Sequence, residues 1–311
     1  MRNPLNMTSP LVVTAGLSHA FVEQPALRGV NLCVPAGSIY GFLGPNGAGK
    51  TTTLRLLLGL LRRQHGTIEL FGLRLERHRR QILRQLGSSI EMPSVYGHLT
   101  ATENLQVWRH VYGCDRRRID AVLALVDLAD TGSKRADQFS LGMRQRLGIA
   151  VALLHEPSLL ILDEPTNGLD PQGVLDMRRL LVTLNRERGV TILVSSHILS
   201  EVERVVSHIG VIHRGTLRFQ GTLDELRQRQ ASASFTTLDT SDNPRAAAVA
   251  AGAGMCASLE DDRVRLPPLS RDDTGRLTGL LWTEGLVLYE VMTSRASLEH
   301  IFLDLVGEER R

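Results

Sequence analysis

The 311-residue chain predicts an α/β fold with a smaller α+β appendage behind it. Three observations carry that expectation. Up to about Gly221, short apolar runs of strand length alternate with longer helix-like stretches. One of those runs, Ile39–Leu43, opens straight into a glycine-rich loop and then a helix-forming segment. Beyond Gly221 the character changes, and no further chemical motif follows.

In order along the chain, Val30, Leu32 and Val34 alternate with polar or small residues, as on a half-buried strand. Ile39–Leu43 reads as a buried strand and residues 51–61 as an apolar helix. Ser140 is a good N-cap for a helix that puts Met143, Leu147, Ala150 and Leu154 on one apolar stripe. Residues 159–162 and 190–194 are continuous apolar runs, as expected of central parallel strands. Between them lies a helix with Asp170 as N-cap, Pro171 as first residue and Gly189 as C-cap. Residues 209–214 and 216–220, around Gly215, read as a hairpin. Thr222 and Glu225 form a capping-box pattern over a short helix at 223–229, and 231–234 reads as a linker. Past it, 234–238 and 263–266 look like strands, and 245–251 and 298–306 like helices. The expected organisation is a core at 11–221, a helix and linker at 222–234, and an accessory domain at 235–311.

Composition narrows the class. With 36 Lys and Arg against 33 Asp and Glu, the net charge is +3, so a dedicated nucleic-acid binder is not indicated. The basic stretches at 74–84 and 116–118 read as solvated helix faces. Cys33, Cys114 and Cys256 form no CxxC pair, which argues against a disulfide framework or a zinc site and fits a reducing cytosol. Residues 1–10 lack a signal-peptide pattern, and apolar runs such as 147–154 are too short to span a bilayer. Any service to a membrane is then expected from the water side, through a partner.

Two motifs carry chemistry. Gly44-Pro45-Asn46-Gly47-Ala48-Gly49-Lys50-Thr51 matches the phosphate-binding loop pattern GxxxxGK[ST], with Thr52 next on the helix. Small residues let backbone N–H groups approach phosphates, and the helix turns its positive end to the same anion. Lys50 then reaches the β- and γ-phosphates, and the Thr51 hydroxyl is a ligand for Mg²⁺. The second motif places Asp163 and Glu164 at the end of a buried strand. Asp163 can hold Mg²⁺, and Glu164 can polarise the attacking water as general base. The expected cofactors are therefore ATP and Mg²⁺.

The segment Asp163-Glu-Pro-Thr-Asn-Gly-Leu-Asp170-Pro171 resembles the Walker B and D-loop of the ABC ATPase family. Phe139-Ser140-Leu141-Gly142-Met143-Arg144-Gln145-Arg146-Leu147 resembles the ABC signature, and Val194-Ser-Ser-His197 the switch strand with its histidine. Phe21 aligns with the aromatic that stacks on adenine, and residues 87–100, with Glu91 inside, align with the Q-loop. This resemblance spans about residues 11 to 221. It implies a RecA-like P-loop NTPase core with an inserted helical subdomain at 92–155. It also implies that Ser140 and Gly142 face the γ-phosphate bound by a second copy, and that His197 orients the attacking water. The signature departs from Ser-Gly-Gly-Gln at Leu141 and Met143, and the Q-loop has Glu91 where glutamine is usual, which makes Glu91 a candidate Mg²⁺ ligand. These departures resemble the bacitracin-resistance and lantibiotic-immunity branch. The C-terminal region resembles the appendage of drug-export ATPases.

The resemblance implies a homodimer closing over two ATP and driving a separate integral membrane permease, with no nucleic-acid partner and a cytoplasmic place on the inner face of the membrane. The export direction stands beside an importer subunit and an ABC ATPase of nucleic-acid work. The last usually carries a long coiled-coil insertion or two ATPase halves, and neither is present. A small-molecule kinase would share the phosphate loop but have no use for the signature helix.

Overall fold

The computed structural model describes residues 10–22, 24–91, 95–294 and 298–307, and omits the side chains of 230–233 and 300. The absence of a leader pattern in the first nine residues, and the 92–94 part of the Q-loop and helical insertion, lie outside the described residues. The chain divides into two compact units. One holds the described residues up to Leu223 together with those from Leu305 on; the other is Asp224–Asp304.

The first unit is built on a six-stranded sheet in the order Thr216–Thr222, His208–His213, Ile39–Leu43, Thr191–Ser196, Leu159–Asp163, Leu86–Ser89. All neighbours are parallel except the hairpin of its first two strands. Every residue of Ile39–Leu43, Leu159–Asp163 and Thr191–Ser196 is buried, which is why these strands read as unbroken apolar runs. A second, antiparallel sheet centres on Pro10–Phe21, paired with Gln24–Val30, Cys33–Pro35 and His65–Leu70. Val12, Leu17, Leu32, Ile68 and Leu70 of this region pack with Leu54, Leu56 and Leu57 and with Ile161 and Leu193 in one core. Each such fully buried side chain contributes about 1.5–3 kcal/mol of transfer free energy.

The helix after the glycine-rich loop spans Lys50–Leu57, shorter than the expected 51–61. Gly59 is a poor helix former, and the chain turns back there, Leu60 and Leu61 both donating N–H to Arg55 O. Helices Ala101–Tyr112, Arg117–Leu125 and Leu141–Leu153 make up the inserted helical region. The first opens on a capping box between Thr100 and Glu103.

In the second unit the order is strand, helix, strand, strand, helix, strand: Phe235–Thr240, Asn243–Gly252, Ser258–Glu260, Arg263–Leu266, Arg271–Thr283, Leu288–Ser294. The antiparallel sheet runs Ser258–Glu260, Arg263–Leu266, Phe235–Thr240, Leu288–Ser294, the ferredoxin-like arrangement. Leu238, Val264 and Leu266 meet Ala246, Ala250, Leu277 and Leu281 in its core. Three elements were not expected: Ser258–Glu260, Arg271–Thr283 and Leu288–Ser294. Gly275 and Gly279 dilute the helix pattern, and the last strand is half-exposed, so its alternation is weak. Of the linker expected at 231–234, residues 231–233 are helix. Leu223–Ala233 is continuous, because alanine favours helix, and Ser234 alone separates it from the next strand.

Candidate functional site

The glycine-rich loop leaves the sheet after Leu43, and Gly49 is the N-cap residue of the next helix at φ 109. No side chain caps that helix and its first turn holds no acidic residue, so its positive end is open to an anion. Lys50 is 5 % exposed and its ammonium curls back over the loop, donating to Gly44 O at 2.7 Å and Pro45 O at 3.2 Å. The same Nζ lies 3.1 Å from Glu164 Oε1.

Strand pairing sets the carboxylates. Asp163 is the Cα partner of Ser195 across two buried parallel strands. Thr51 Oγ1 donates to Asp163 Oδ2 at 2.8 Å, and Ser195 Oγ to Asp163 Oδ1 at 2.5 Å. One residue on, Glu164 sits in the left-handed region at φ 46, and its N–H donates to Ser195 Oγ at 2.9 Å. Its second carboxylate oxygen accepts from His197 Nδ1 at 2.9 Å, which assigns the proton to Nδ1. Lys50, Thr51, Asp163, Glu164 and His197, singled out separately in the sequence, are thus one connected group. The Thr51 and Asp163 oxygens suit a hard divalent cation that keeps phosphate and water oxygens as its other ligands. Among the described residues no group of three or more His, Cys, Asp or Glu could hold a metal by itself.

A cleft of about 350 Å³ opens beside this group, lined by Phe21, Gln24, Asn46, Gly47, Lys50 and Thr51 among others. Phe21 is 45 % exposed and meets His19 edge-on, leaving it available to stack on a flat ring. Ser140 and Gly142 lie in a different cleft, of about 260 Å³, with Leu169, Asp170 and Gly173. Ser140 accepts from Met143 N at 3.2 Å and Asp170 from Gly173 N at 2.8 Å, both as N-caps. Ser140 and Gly142 thus line a cleft that holds no residue of the phosphate loop, while Leu141 and Gln145 of the same segment share another with Thr51, Asp163 and Glu164. Glu91 shares a third cleft with Thr51 and Asp163, but its carboxylate is ion-paired with Arg55 rather than bonded to either of them.

Residues 27–167 match the ABC transporter family. Over 305 residues the chain is 42 % identical to the bacitracin transport ATP-binding protein BcrA of Bacillus licheniformis, covering 96 % of this chain and 98 % of that one. The chain belongs to the ABC transporter family of ATP-binding proteins. Like other ABC ATPases it binds and hydrolyses ATP. It is also 41 % identical to the lantibiotic transport ATP-binding protein SrtF of Streptococcus pyogenes, over 67 % of this chain and 89 % of that one. A solved structure of an ATP-binding subunit of an ABC transporter is similar at TM-score 0.62 and 34 % identity, over 70 % of this chain and 92 % of that chain.

Several residues of this ABC ATPase escaped the sequence reading. Ser195 touches both carboxylates' residues; its only signal was a small hydroxyl at the buried end of an apolar strand. Thr166 donates to Glu201 Oε2 at 2.5 Å, and Arg178 holds the Ser200 and Glu201 carbonyls, tying the segment after Glu164 to the one after His197. Leu141 packs against Gly168, where an added Cβ would lie 3.0 Å from Leu141 Cδ2, so a signature departure joins the D-loop of the same chain. Nothing in the spacing of these residues announces such contacts.

Proposed function

We propose that this chain is the ATP-hydrolysing motor of an exporter for a peptide antibiotic or similar drug-like compound. Two copies pair head to tail and drive a separate membrane permease from its cytoplasmic face. The export assignment is supported by BcrA and SrtF, which are named for bacitracin and lantibiotic transport. Among the described residues no helix is long and apolar enough to cross a membrane. Pairing is supported by the clefts: Ser140 and Gly142 lie at a helix N-terminus, which favours an anion, in a cleft without Lys50 or Thr51, and in this reading they serve the nucleotide of the other copy.

The observation that carries hydrolysis is the Glu164 carboxylate, held between Lys50 and His197. Phe21 takes the adenine face, and the backbone of residues 44–49 with the N–H groups of Lys50, Thr51 and Thr52 takes the phosphates. Thr51 and Asp163 would hold Mg²⁺, which would neutralise phosphate charge. A bound γ-phosphate draws the Lys50 ammonium from Glu164, and the freed carboxylate accepts a proton from the attacking water. His197 keeps that carboxylate aligned and contacts the γ-phosphate. Water oxygen bonds to phosphorus as the bond to the ADP oxygen breaks, giving ADP and phosphate.

Glu164→Gln keeps the shape and removes the proton acceptor. Turnover is expected to fall roughly 10²-fold or more while ATP binding persists and an ATP-bound dimer accumulates. Near-normal phosphate release by the purified variant would refute the base assignment. For transport, the chain co-expressed with its permease is expected to raise bacitracin tolerance of a sensitive host, and Lys50→Ala to abolish the gain. Equal tolerance with and without the pair would remove bacitracin-like peptides from the proposal.

A further inference from the structure

We infer that Ser195 is a positioning residue for hydrolysis: its hydroxyl fixes Asp163 and Glu164 relative to each other. The inference rests on the reading of Glu164 as the base. Ser195 is fully buried on the central strand Thr191–Ser196, directly across from Asp163. A hydroxyl has one proton, and here it goes to Asp163 Oδ1 at 2.5 Å. That leaves Asp163 Oδ2 for Thr51 at 2.8 Å and leaves a Ser195 lone pair to accept the Glu164 N–H at 2.9 Å.

The second bond matters because Glu164 lies at φ 46, a conformation that a side chain of this size adopts only when its surroundings impose it. Lys50 and His197 hold the carboxylate, the Asn167 N–H donates to the Glu164 carbonyl at 3.0 Å, and Ser195 accepts the Glu164 N–H. The Asn167 bond closes a turn within the segment itself, whereas Ser195 ties the backbone of Glu164 to the neighbouring strand. A bound nucleotide competes for Lys50, so during turnover the backbone anchors carry more of the restraint. The neighbouring Ser196 does something different: its hydroxyl bonds Ile198 N and O and shapes the turn around His197. A buried serine that only satisfied itself would be expected to bond a nearby carbonyl of its own segment, as Ser196 does. Ser195 instead reaches across to both residues of the hydrolytic pair.

The test uses the purified full chain. Ser195→Ala is expected to lower kcat for ATP about 10–100-fold, as a displaced catalytic group does, with KM changed by less than about threefold because Ser195 does not line the cleft of the phosphate loop. Ser195→Cys, which keeps most of the buried volume but is a weak donor, is expected to show the same split and guards against a folding defect in the alanine variant. The cycle with Glu164→Gln separates positioning from a general packing effect. If Ser195 acts through Glu164, adding Ser195→Ala to Glu164→Gln lowers single-turnover phosphate release by no more than about threefold further. Wild-type kcat in both Ser195 variants, or a full additional loss on the Glu164→Gln background, overturns the inference. Glu164→Gln by itself judges the base: normal turnover there removes the base assignment, and with it the route by which Ser195 is said to act.

Discussion

Gly49→Ala would place a Cβ 2.6 Å from Leu27 Cδ2 and 2.8 Å from Ala26 O, at a backbone φ of 109. Leu27 is 2 % exposed and Ala26 O is main chain, so neither neighbour can yield freely. Holding a side chain at such a φ costs about 1–3 kcal/mol. Forcing a methyl into packed surroundings costs about 1–3 kcal/mol more. Gly47, two residues earlier in the same loop, has φ 77 but nothing within 4 Å of a new Cβ. Gly47→Ala therefore meets only the dihedral cost, about 1–2 kcal/mol. The measurement is denaturant unfolding of the first unit. Trp282 is 77 % exposed in the second unit, so a Trp282→Phe background leaves Trp108 as the reporter of the first. Gly49→Ala is expected to be the more destabilising of the two, by about the packing cost of 1–3 kcal/mol. Equal losses would show that the dihedral alone explains this loop and that the contact with Leu27 and Ala26 carries no energy.

Three further outcomes are expected. Ser140→Arg is expected to abolish ATP-driven dimerisation while nucleotide binding persists, since the two functions occupy different clefts; size-exclusion with ATP checks this, and a normal dimer contradicts it. Glu91→Gln is expected to leave the half-saturating Mg²⁺ of the ATPase unchanged, because its carboxylate is paired with Arg55; a raised half-saturation would return Glu91 to the metal site. His155 stacks on Tyr112 at 4.4 Å and its Nε2 donates to Leu86 O, while burial holds its pKa below the usual imidazole value. Its neutral form is the folded one, so its contribution is full above about pH 6.5 and is lost as pH falls below that. Unfolding curves of wild type are expected to weaken over that fall more than those of His155→Phe, and parallel pH dependence would refute the assignment.

Legibility followed how local each interaction is. The helix Pro171–Arg188 was readable to the residue, because an Asp170 cap, a first-turn proline and Gly189 all act within a few positions of the chain. The buried strands were readable because burial on both faces leaves a continuous apolar run. The ferredoxin-like unit was only half readable. Its strand Ser258–Glu260 is three residues long and wholly exposed, and it exists because it pairs with Arg263–Leu266. Residues 231–234 are small and polar, as a linker would be, yet the alanines at 231 and 233 also suit a helix, and the linker shrinks to Ser234.

The sequence by itself determined the chemistry on offer: a phosphate loop, paired acids at a strand end, a capped signature helix and a switch histidine, each set by residue types at short fixed spacing. Only the tertiary structure decided how these parts connect. Parallel strands from distant stretches of chain set Ser195 against Asp163, and that register puts Glu164 between Lys50 and His197. It also turned Glu91 to Arg55 and put Ser140 in a cleft apart from Lys50. Strand register is a pairing between residues tens of positions apart, selected by the packing of the whole sheet, and no local pattern encodes it.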